Sequence, residues 1–155
     1  MECTRTDLPA VTIAAVRSTV PMSRLTEFYD TAYAQVTAAA GREGWTLAGP
    51  AFGWYHRMPT DSVDLTAGFV VDGAALGTWE DVEVSEMPGG AALVLIHTGP
   101  YDALADAWER LEKERAELGV EGRGDFWEEY VTDPAPDGDP DLNITRLVLP
   151  LSVDA

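Results

Sequence analysis

Cysteine is nearly absent: Cys3 is the only one in 155 residues. A lone thiol closes no intramolecular disulfide, which fits a reducing compartment, so a cytoplasmic protein is expected. Cys3 falls in a stretch expected to be loose, without a scaffold that would make it a nucleophile. Basic residues are also scarce, ten against 27 acidic, for a formal net charge of −17. Such a surface repels nucleic acid and anionic lipid, so neither direct nucleic-acid binding nor membrane association is expected; it attracts cations. The two histidines, His56 and His97, lie far apart with no cysteine pair and no two-histidine helix motif, so no metal site is expected. No phosphate loop, dinucleotide fingerprint or serine elbow is present, and no cofactor is expected. No apolar run approaches membrane-spanning length, and Met1 to Arg5 does not open a signal peptide.

What the chain has is apolar and aromatic. Apolar residues make up 46% of it, with five tryptophans and five tyrosines. That is enough to build one core without staples, and a single domain over 1–155 is expected. Alternation and turn residues predict strands over Val11–Ser18, Leu47–His56, Val63–Val71, Val82–Met87, Ala91–His97, Asp125–Thr132 and Asn143–Leu149. Helical spacing predicts a helix from Leu25 to about Arg42, with Leu25, Phe28, Ala32, Val36 and Ala39 inward and Ser23 as its cap. A second runs from Gly99-Pro100 to Leu118, with Leu104, Trp108, Leu111, Arg115 and Leu118 inward. The order reads as a duplication with half-repeats 11–76 and 77–153. The expected fold is α+β: two strand-helix-strand-strand units about a pseudo-twofold, a largely antiparallel sheet, helices on one side and a central cleft.

The most telling segment is Phe126-Trp127-Glu128-Glu129-Tyr130. Strand alternation puts Phe126, Glu128 and Tyr130 on one face and Trp127 with Glu129 on the other, so either face carries a carboxylate beside aromatic rings. A buried carboxylate needs a partner or recruits a cation. The first half offers a matching Phe52-Gly53-Trp54-Tyr55, which would make Gly53 and Glu128 equivalent: space in one half, charge in the other. The proline-rich stretch Asp133 to Asp141 carries four aspartates, but not at calcium-loop spacing, and reads as a solvated loop.

The chain resembles the GyrI-like small-molecule-binding domain, also called the bacterial transcription activator effector-binding domain. The resemblance runs from about Val11 to Val153. It is carried by Phe52-Gly53-Trp54-Tyr55-His56-Arg57, Leu65 to Val71, His97-Thr98-Gly99-Pro100-Tyr101, Trp127 to Pro134 and Thr145 to Pro150. It implies two strand-helix-strand-strand units with a ligand cleft between them. Many members are sensor halves of regulators that recognise hydrophobic cations and other drugs. Others resemble hydrolases of cyclopropane-containing DNA-alkylating natural products. The family's central glutamate falls on Glu128, its flanking tyrosine on Tyr130, the first-half tyrosine on Tyr55 and the aromatic at the second helix start on Tyr101. Thr66 stands where members often carry an acid.

The implied ligand contacts are therefore Glu128, Tyr130, Tyr55 and Tyr101. Phe52, Trp54, Thr66 and Trp79 are further candidates, Trp79 as an aromatic in an acidic connector that could close over a ligand. The leading expectation is a standalone binding module for bulky aromatic or cationic compounds, either sequestering them or read by a protein partner. The alternative is a hydrolase in which Glu128 activates water and Tyr55 or Tyr130 supports developing charge.

Overall fold

A computed structural model describes residues 3–131 and 143–152; the aspartate-proline loop lies outside them. Among these residues nine strands form one antiparallel sheet: β1 (Cys3–Leu8), β2 (Val11–Pro21), β3 (Thr46–Tyr55), β4 (Ser62–Asp72), β5 (Gly77–Trp79), β6 (Val82–Met87), β7 (Gly90–Thr98), β8 (Phe126–Tyr130) and β9 (Ile144–Pro150). The helices are α1 (Leu25–Glu43) and α2 (Leu104–Leu118). Each is entered through one 3-10 turn after a proline, Met22–Arg24 after Pro21 and Tyr101–Ala103 after Pro100. Ser23 therefore lies inside the first turn rather than capping α1. Each helix stops at a glycine in the left-handed region, Gly44 at φ +79° and Gly119 at φ +70°, where a side chain would be strained.

The strand order is β1-β7-β9-β8-β3-β4-β2-β6-β5. The expected duplication is visible in it: β2-α1-β3-β4 and β7-α2-β8-β9 are the two units, related by a pseudo-twofold and joined edge to edge through β3 and β8. The flanking strands are exchanged, since β1 pairs with β7 of the second unit and β6 with β2 of the first. Two strands were absent from the sequence reading. Cys3 sits not in a loose end but in β1, opposite Leu95, and Trp79 lies in β5, opposite Val82.

Alternation assigns each face its core. On the helix side, Leu93, Leu95, Leu147 and Leu149 pack with Leu104, Ala107 and Leu111 of α2. Ala14, Val71 and Val84 pack with Val36, Ala39 and Ala40 of α1. Leu118, expected inward, is exposed; the helical register presents Ala107 instead. The reverse face carries its own core of Ile13, Ala15, Phe52, Val94, Trp127 and Val148. The two central strands are thus covered on both sides.

Candidate functional site

At the junction of the halves, Gly53 of β3 lies directly opposite Glu128 of β8, on the helix side of the sheet. Glu128 is only 8% exposed. Its Oε2 accepts the indole N–H of Trp108 from α2 at 2.7 Å, and its Oε1 accepts the Tyr130 hydroxyl at 2.7 Å. Among the described residues no basic group pairs with it. Two neutral donors hold the carboxylate, and each oxygen retains a lone pair for a further partner.

Glu129, the other half of the alternation, faces the reverse side. Arg146 Nη1 donates to both its oxygens, at 3.0 and 2.8 Å, and Trp127 Nε1 donates to it at 2.9 Å. The two neighbouring glutamates differ in this: Glu129 is neutralised by an arginine, whereas Glu128 is buried among rings with no basic partner among the described residues.

Those rings come from both halves. Tyr29 of α1 reaches over Gly53, where an added Cβ would collide with its hydroxyl. The Tyr29 and Tyr55 hydroxyls are 2.8 Å apart, and the Tyr130 hydroxyl lies 3.3 Å from that of Tyr29. Tyr130 meets Tyr29 and Tyr101 edge-on, Tyr55 stacks on Phe126 at 5.2 Å, and Trp108 meets Phe126 edge-on. Tyr33, one turn beyond Tyr29, donates to the Phe52 carbonyl at 2.9 Å. Burial raises the tyrosine pKa values, and the Glu128 charge adds to this at three of them. Tyr55 is pushed up to about 12, and Tyr29, Tyr33 and Tyr130 are raised as well. All four are neutral hydroxyl donors at neutral pH. Where a central cleft was expected, aromatic rings from both halves pack together, with the Tyr29 side chain lying over Gly53.

Of the sequence candidates, the fold brings Glu128, Tyr130, Tyr55 and Tyr101 together. It does not bring the other four to them. Phe52 and Trp54 alternate with Gly53 and Tyr55, so they face the reverse side, and Thr66, opposite Trp54, faces that side too. There Phe52 belongs to the reverse core, Trp54 donates to Asp125 at 2.8 Å, and Thr66 bonds His56 at 2.7 Å. Trp79 is at the sheet edge against Trp45, with ring centroids 5.0 Å apart. Sequence reasoning missed Tyr29 and Tyr33, and it treated Trp108 as core packing. The four-residue spacing of Tyr29 and Tyr33 on α1 was the available signal. Among the described residues no cluster of three or more His, Cys, Asp or Glu could hold a metal. No helix among them is long and apolar enough to cross a membrane.

Comparison with solved structures shows the fold again. The chain superposes on the EcmrR C-terminal domain with a TM-score of 0.83 at 19% identity, covering 97% of each chain. Against EcmrR in its complex with DNA it spans 57% of that longer chain, with 97% of itself covered, 19% identity and a TM-score of 0.81. SAV2435 bound to tetraphenylphosphonium gives a TM-score of 0.70 at 14% identity, covering 99% of this chain and 95% of that one. A hydrolase from Listeria innocua gives 0.65 at 13% identity, covering 97% and 92%. No curated protein matches in sequence. The family model for the GyrI-like small molecule binding domain matches residues 1–152, nearly the whole chain, and the protein belongs to that family.

Proposed function

We propose that the protein binds a bulky aromatic cation in the site around Glu128, and that Tyr29 moves off Gly53 to admit it. The observation that carries this reading is a buried carboxylate, unpaired by any basic group among the described residues, ringed by Trp108, Tyr130, Tyr55 and Tyr29. A cation lodged there gains the field of Glu128 and cation–π contact with neutral rings, each ring contributing roughly 0.5–2 kcal/mol. Ring faces discriminate poorly among aromatic ligands, so specificity would be broad. The surface charge of −17 concentrates cations near the entrance. The structural likeness to SAV2435, solved with tetraphenylphosphonium, and to a domain of the DNA-bound EcmrR supports this ligand class and a link to regulation. The bound state would be read by a partner protein, or the protein would sequester the compound. Calorimetric titration with tetraphenylphosphonium tests it. Saturable binding that weakens in Glu128→Gln is expected; no binding, or equal binding in the variant, refutes it.

A second reading, hydrolysis of a cyclopropane-bearing electrophile, has one observation in its favour: the hydroxyl chain Tyr55–Tyr29–Tyr130 ending on Glu128. Glu128 would take a proton from water as the water oxygen bonds to the ring carbon. The cleaved C–C pair would move to a conjugated carbonyl oxygen, which accepts a hydrogen bond and then the proton from a tyrosine. The likeness to the Listeria innocua hydrolase supports it. Incubation with a cyclopropane-bearing alkylator, followed by mass analysis, separates the readings: intact compound at the buffer-only rate leaves binding alone.

A further inference from the structure

The reverse face of the sheet carries a cavity that the site around Glu128 does not use. Its volume is about 200 Å³. Its floor is Phe52 and Trp127, the immediate chain neighbours of Gly53 and Glu128, turned to the other side by alternation. Its walls come from the turns that carry the exchanged strands: Leu8-Pro9 between β1 and β2, and Met87-Pro88 between β6 and β7. One end is polar, closed by Arg146 and Glu129.

We propose that this cavity is a second small-molecule site, for a neutral single-ring aromatic compound with one hydrogen-bond acceptor. Size sets the first limit. A cavity of about 150 Å³ binds benzene, so this one holds one ring and a short substituent and is too small to enclose a four-ring cation. Charge sets the second. Glu129 is already matched by Arg146, so a cation finds no unpaired carboxylate there, and the overall charge of −17 opposes an anion. Donor supply sets the third. Arg146 spends Nη1 on Glu129, whereas its Nε and Nη2 bond to no protein group among the described residues. Those N–H groups suit a ketone or amide oxygen at the polar end, with the ring against Phe52, Trp127 and Met87. This site shares no side chain with the one around Glu128, so the two stand or fall separately.

The indole N–H resonances of the 15N-labelled full chain resolve the two faces, because Trp127 lines this cavity and Trp108 contacts Glu128. Titration with acetophenone is expected to shift Trp127 saturably, with a Kd of roughly 0.1–1 mM for nine heavy atoms, and to leave Trp108 in place. Toluene, which has no acceptor, should bind several-fold more weakly, and Arg146→Lys should erase that difference by removing the guanidinium fork. Val11→Phe, filling the cavity from β2, should abolish the Trp127 shift, and Glu128→Gln should not alter it. Leu8→Phe at the rim repeats the filling test if Val11→Phe disturbs the other indole resonances. Absence of a saturable Trp127 shift, its persistence in the filled variants, or a shift at Trp108 instead would overturn the proposal.

Discussion

Tyr29→Ala separates stability from binding in a way that few other substitutions here would. Tyr29 exchanges hydrogen bonds with Tyr55 and Tyr130 at 2.8 and 3.3 Å and meets the Tyr130 ring edge-on at 6.0 Å. Tyr29 is half-buried, so truncating it costs toward the lower end of the about 3–5 kcal/mol of folding stability lost with fully buried rings. A ligand that enters over Gly53 must break those same contacts in the native protein: two neutral hydrogen bonds at about 1 kcal/mol each and one ring contact at about 1 kcal/mol. In the alanine variant that cost is already absent. Against it stands the loss of one ring face on the ligand, about 1 kcal/mol. The difference of about 2 kcal/mol predicts tetraphenylphosphonium binding roughly 10–30-fold tighter in a less stable protein. Urea unfolding and calorimetry on the same samples give both numbers. Unchanged or weaker affinity would show that Tyr29 does not lie in the ligand's path, and the reasoning from Gly53 would fail with it.

Gly68 and Gly53 should respond differently to alanine. At Gly68 the new Cβ meets the Ala14 carbonyl and the Ala15 backbone, which cannot retreat, whereas at Gly53 it meets the Tyr29 hydroxyl, which can rotate away. Gly68→Ala is expected to cost upwards of ~3 kcal/mol in urea unfolding and Gly53→Ala distinctly less, with Tyr29 displaced; equal losses would contradict this. Alkali should be resisted and then yield abruptly. Burial raises the pKa values of Tyr29, Tyr33, Tyr55 and Tyr130 in the fold, with Tyr55 at about 12. A raised folded pKa means that the unfolded chain releases these protons first. The stabilisation is therefore complete below an unfolded pKa of about 10 and is lost as pH rises from there through the folded values. Phenolate absorbance should show these four tyrosines ionising together with unfolding, not before it; independent titration near pH 10 would refute their burial.

The readable part of this protein was local. Periodicity located both helices and seven strands, and the alternation in Phe126 to Tyr130 narrowed the central acid to one of two glutamates. Choosing between them physically required β9, because Arg146 is what neutralises Glu129. The β1 segment, Cys3–Leu8, has too little apolar alternation to declare itself and is a strand because β7 supplies a partner. Phe52 and Trp54 were kept as candidates beside Tyr55 although alternation puts them on the opposite strand face, which is where they lie. Tyr29 and Trp108 reach the site from helices of different halves. No local pattern states which sheet position a helix flank will cover, so their bonds to Tyr55 and Glu128 emerge only from tertiary packing.

A crystal structure of the protein with tetraphenylphosphonium most directly tests the account's central claim, that the Glu128 carboxylate, without a basic partner among the described residues, draws an aromatic cation into the junction of the two halves. The cation should lie on the helix side of the sheet over Gly53, with its phosphorus about 6 Å from the carboxylate, a separation worth roughly 3 kcal/mol at an effective dielectric of 20, and with Tyr29 rotated clear. A cation found elsewhere, with Tyr29 still over Gly53 and Glu128 still held only by Trp108 and Tyr130, would contradict it.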